Sequence, residues 1–99
     1  MKTNKLTGIA LDWAVAKCEG FPVRDGFDDN CPEYSTNWAQ GGPIIERERI
    51  DVLYEHDLRW IAVPQKGIES YGPTPLIAAM RCYVASKLGD EVDIPEELK

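Results

Sequence analysis

The stretch "IDVLYEHDLRWIAV", Ile50 to Val63, carries the sheet of this chain. The alternation in "IDVLY" and the β-branched and aromatic residues of "LRWIAV" predict two strands. "EHD" between them serves as the turn of an antiparallel hairpin. What precedes the hairpin is less regular. In "YSTNWAQGGPIIER", Tyr34 to Arg47, a glycine pair and a proline lead into apolar and charged residues. "PIIERER" reads either as a short helix with Pro43 at its first position or as the start of a strand.

Further out the pattern turns helical. In "TNKLTGIALDWAVAKCEGFP" Leu6, Ala10, Trp13, Ala14 and Cys18 recur at helical spacing, with Thr3 or Asn4 as the cap and Gly20 and Pro22 as the stop. Glycine, aspartate, asparagine and proline crowd between Phe21 and Pro32 and predict a loop, as they do from Gly67 to Pro75. "TPLIAAMRCYVASKLG" is the last element, capped by Thr74, started by Pro75 and ended by Gly89. Leu76, Ile77, Met80, Tyr83, Val84 and Leu88 share one arc of it. The opposite arc holds Ala78, Ala79, Cys82, Ala85 and Ser86 where a surface helix would carry charge. Such a helix is packed on both sides, and its second neighbour is either the first helix or another copy of the chain. The expectation is one α+β domain over residues 1–99: a small antiparallel sheet with helices on one face and a less ordered acidic tail, 90–99.

Bulk properties narrow the chemistry. A chain of 99 residues with 43% hydrophobic and 28% charged residues suits a small globular domain. No apolar run is long enough to cross a bilayer and "MKTNKLTG" lacks a secretory apolar segment, so the expected location is the cytoplasm. Cys18, Cys31 and Cys82 form no C-x-x-C pair and read as reduced thiols. A net charge of −6 without a basic block disfavours nucleic-acid polymers, whereas local arginines could still hold a small anion.

Catalytic constellations are sparse. His56 is the only histidine and falls in the predicted turn, which leaves no partnered base for a serine or cysteine nucleophile. The acidic pairs at 28–29 and 46–48 lack the spacing of a calcium loop. No cofactor or metal is expected, and hydrolysis by Asp12 or Glu46 is a distant third reading. Asp12, the one carboxylate in the apolar run Leu6 to Ala16, is either a structural group or a ligand-facing acid.

A binding site is easier to assemble. Tyr34 and Trp38 offer flat faces, Gln40 paired polar atoms, and Gly41 and Gly42 close backbone approach. In "SYGPTPLIAAMR", Ser70 to Arg81, the Thr74 helix start and Arg81 could receive an anion, with Arg47 adding charge. The expected occupant is a small anionic or nucleotide-like molecule; the alternative is a host protein bound through an aromatic and acidic surface. Homo-oligomerisation suits either.

"LTGIALDWAVAKCEG", "YSTNWAQGGPIIERERI" and "GPTPLIAAMRCYVASKLGDEVDIPEEL" resemble the NinX-like small proteins of lambdoid bacteriophages and related prophages. Phe21 to Glu33 and Asp51 to Gln65 depart from that family. The resemblance implies a phage or prophage origin and work inside a bacterial cell. It carries over no catalytic residue, and a counter-defence role follows from origin alone.

Overall fold

The computed structural model describes residues 1–21, 31–57 and 59–98. Three helices, α1 (Gly8–Cys18), α2 (Trp38–Glu48) and α3 (Pro75–Leu88), accompany three strands, β1 (Asp51–His56), β2 (Arg59–Val63) and β3 (Ser70–Gly72). The fold is α+β, with an antiparallel sheet of order β1-β2-β3.

The hairpin forms where the sequence predicts it, but Glu55 and His56, expected in its turn, belong to β1, where His56 opposes Arg59. Asp51 opposes Val63, Leu53 opposes Ile61, and the register slips between Tyr54 and His56. Asp57 adopts the left-handed turn conformation, φ 47°, which aspartate tolerates better than most residues. β3 lies within the expected loop Gly67 to Pro75, because three residues are too few to show a period. Tyr71 opposes Ile61 and Gly72 opposes Trp60.

α3 follows the sequence reading closely. The Thr74 side chain accepts the Ile77 N–H at 3.1 Å, Pro75 opens the helix, and Gly89 ends it at φ 86°. The helix packs against the sheet on one side and against α1 and α2 on the other. Ala78, Ala79 and Cys82 of the small-residue arc are therefore buried within the chain, while Ala85 is half-buried and Ser86 exposed. Residues Ala10 to Ala16 of α1 are buried throughout.

The start of α1 corrects the expected cap. Gly8 takes a φ of 56°, so the helix cannot run back to Thr3 or Asn4. Thr3 instead belongs to a 3-10 turn and its hydroxyl donates to the Gly89 carbonyl at 2.6 Å. Beside it the N-terminal amino group donates to the Val92 carbonyl at 2.9 Å, and Val92 N–H returns a bond to Met1. Val92 and Ile94 of the acidic tail are buried.

α2 resolves the helix-or-strand alternative and begins earlier than "PIIERER". Asn37 caps it by accepting the Ala39 N–H, so Trp38, Gln40, Gly41 and Gly42 are helical and Pro43 lies inside the helix. Pro43 has no N–H to offer the Ala39 carbonyl, a local weakness that other contacts offset. Arg49, left-handed at φ 53°, ends the helix, and Ile50 N–H closes onto the Ile45 carbonyl at 3.1 Å.

The register divides the sheet into two faces. Val52, Trp60, Ala62, Ser70 and Gly72 share the side packed on α3, where a Cβ on Gly72 would stand 2.8 Å from Ala78 N. Leu53, Ile61 and Tyr71 form one directly opposed row on the other side. Among the described residues no helix covers that row, and Leu53 is 57% exposed.

Candidate functional site

The two stretches that the sequence pairs do touch, at Gly41 and Leu76, where the backbone of α2 closes on α3. Gly41 is buried there, so its missing side chain serves helix packing. Tyr34 is buried beside it, while Trp38 is 54% exposed and Gln40 projects from the outer surface of α2. Thr74 is engaged in capping α3. Arg47 and Arg81 line different concavities, so the expected group of nine residues does not converge on one pocket.

Asp12 is a structural group of a kind the sequence does not reveal. Its carboxylate accepts the Ser35 N–H at 2.8 Å in a buried setting and so pins the turn before α2 onto α1. Burial pushes its pKa up, and the Ser35 contact pulls it part of the way back.

Arg47 is likewise engaged. Its guanidinium meets both oxygens of Glu19, at 3.0 and 2.6 Å, and Glu48 at 2.9 Å. Tyr83 Oη donates to Glu19 at 2.5 Å. The Arg47 hydrogen bonds hold the Glu19 carboxyl below its usual range, while burial and the adjacent Glu19 push the Tyr83 phenol up. Burial also pushes the Cys18 and Cys82 thiols up to about 11, which keeps them protonated and unreactive near neutrality.

Arg81 is placed differently. Its Nε donates to the Leu6 carbonyl at 2.8 Å and its Nη1 to the Tyr71 carbonyl at 2.9 Å. Among the described residues no carboxylate pairs with it, and burial alone draws its pKa down. The two carbonyls leave further N–H groups of the fork available. They border a trough of about 450 Å³ beside the edge strand β3, lined also by Asn4, Arg59, Glu69, Tyr71 and Pro73. There Arg59 lies 4.0 Å over the centre of the Tyr71 ring and reaches Glu55 at 3.3 Å.

Asn4, Arg59 and Tyr71 are the residues that sequence reasoning passes over. They are 55 and 12 positions apart in the chain; strand pairing brings Arg59 and Tyr71 together, and the 3-10 turn Thr3–Lys5 packed on β3 adds Asn4. The one legible signal is Tyr71 itself, an aromatic inside "SYGPTPLIAAMR". A second concavity, about 280 Å³, holds Arg47, Lys66 and Lys87 with Gln65 and Ser86. Among the described residues no three His, Cys, Asp or Glu side chains are grouped to hold a metal ion, and no helix is long and apolar enough to cross a membrane.

The fold is thus that of a small α+β protein with two arginine-containing concavities on its surface. A family model described as Bacteriophage P22, NinX matches residues 2–87, and the chain belongs to that family. No curated protein matches it.

Proposed function

We propose that this phage accessory protein is a non-catalytic binding module that captures a small anionic, nucleotide-like host molecule in the trough of Arg59, Tyr71 and Arg81. The observation that supports this reading is the half-buried Arg81 guanidinium, which has carbonyl partners and no carboxylate. An anion there would supply the missing counter-charge, and the planar fork suits phosphate or carboxylate. Arg59, stacked on Tyr71, adds a flat cationic face on which a base can lie. Sequestration needs affinity without turnover.

The test is thermal stabilisation of the full chain by a panel of cyclic nucleotides and ADP-ribose derivatives, followed by heat release and mass analysis. The reading expects a midpoint shift and the ligand returned intact. Recovery of cleavage products alone, or no shift with any member, would sink it.

A second reading is favoured by the exposed Leu53 in the row Leu53, Ile61 and Tyr71: this face binds a host protein. In that case Leu53→Glu abolishes capture of one host protein at fixed ratio, while nucleotides leave the thermal midpoint unchanged.

A further inference from the structure

The Arg59–Tyr71–Arg81 trough does not end at Arg81. A neighbouring concavity of about 300 Å³ shares Asn4, Glu69 and Ser70 with it and continues past Lys2, Ile68 and Asp90. The two concavities adjoin at these shared residues, and they differ in chemistry. One offers two guanidinium groups and an aromatic ring. The other offers the Ile68 and Ala85 side chains as apolar surface, with Lys2 and Asp90 at the rim.

Ile68 is 84% exposed, the most exposed of the large hydrophobic residues among the described residues, and stands in the short connection before β3. Its apolar side chain is open to contact by a ligand that reaches this concavity. Lys2 is also exposed: its amino group lies 3.5 Å from Glu91, with both side chains largely solvated, so the pair is weak and can exchange partners.

We infer that the ligand is two-lobed, a dinucleotide or a nucleotide carrying a second sugar or ring, with its phosphates at Arg59 and Arg81 and its second lobe against Ile68 and Lys2. A mononucleotide would fill only the first concavity. A two-lobed ligand would fill both, a size within the usual range for small-molecule sites. The inference rests on the proposed small-anion reading of the trough. The geometry adds the length of the ligand and the apolar contact made by its far end.

The experiment compares AMP, ADP-ribose and a linear diadenosine dinucleotide by calorimetric titration against the full chain and two variants, Ile68→Ser and Arg59→Gln. Either two-lobed compound should bind at least about tenfold more tightly than AMP, the gain expected from a second contact region on a linked ligand. Ile68→Ser should remove that advantage and leave AMP binding as it was, whereas Arg59→Gln should weaken all three. Ile68 is exposed, so its replacement does not disturb the core. Equal affinity for AMP and both longer compounds would overturn the two-lobed inference and leave the anion reading standing. An Ile68→Ser chain that retains the full advantage would also overturn it. Absence of binding by all three would defeat the anion reading itself.

Discussion

Gly41 of α2 stands against Leu76 of α3 so closely that a Cβ on the glycine would lie 2.7 Å from Leu76 Cδ1 and would also collide with the Tyr34 carbonyl oxygen. Gly42, one residue on, would place its Cβ 3.7 Å from the Trp38 ring, an ordinary contact. Two adjacent glycines therefore carry opposite expectations. Gly41→Ala should destabilise by about 1–3 kcal/mol through overpacking. Gly42→Ala should stabilise by about 0.5–1 kcal/mol, because a helical glycine forfeits backbone entropy. Urea denaturation of both variants measures the two signs side by side.

Asp12 gives a prediction with a pH signature. Asp12→Ala leaves the buried Ser35 N–H without its acceptor and should cost about 1–3 kcal/mol. Asp12→Asn keeps an acceptor oxygen and should fall within about 1 kcal/mol of the parent. Burial raises the folded-state pKa above 3.8, so the folded state holds this proton more tightly than the unfolded chain does. Its contribution favours folding below that value and is lost as the pH rises through the folded pKa. Relative to Asp12→Asn, the parent should therefore gain stability as the pH falls through this window.

The Glu19 contribution runs the other way. Hydrogen bonds from Arg47 hold its folded pKa below the ordinary 4.5, so the stabilisation is present above 4.5 and disappears as the pH falls through the folded value. Half of the Arg47 side chain is exposed, so solvent screening limits the pair to about 1 kcal/mol or less. A double-mutant cycle with Glu19→Gln and Arg47→Gln should give a coupling that is present at pH 7 and shrinks as the pH is lowered through the folded Glu19 value below 4.5.

The acidic tail is a structural strap. Removing residues 90–99 takes away the buried Val92 and Ile94 side chains and the backbone bonds that tie Met1 and Thr3 to Val92 and Asp90. The truncated chain should lose about 2–4 kcal/mol, less than the full burial of both side chains because the tail is no longer ordered. A thermal midpoint unchanged by truncation would count against this role.

The sequence made some of this visible and concealed the rest for physical reasons. α3 and the hairpin are legible because each carries a local signal: Thr74, Pro75 and Gly89 for the helix, alternation around Leu53 and Ile61 for the strands. α2 is harder to read because its glycine pair and Pro43 have the composition of a turn, and only Asn37 betrays a helix start. The tail's Val92 and Ile94 sit among acidic residues, and their burial depends on Met1 and Thr3 at the other end of the chain. The candidate site is least legible. Arg81 is visible as a charge on an apolar helix, but Arg59 and Tyr71 join it only through strand pairing, and Asn4 only through the packing of the N-terminal 3-10 turn on β3.

The most direct test of the anion-binding claim is a ¹H–¹⁵N NMR titration of the full chain with ADP-ribose, including the arginine Nε–H signals. Binding in the trough predicts shifts at the Arg59 and Arg81 side chains and at the Asn4 and Tyr71 amides, with Gln40 and Trp38 unmoved. A spectrum unchanged at millimolar ligand, or shifts confined to Trp38 and the Leu53 face, would contradict it.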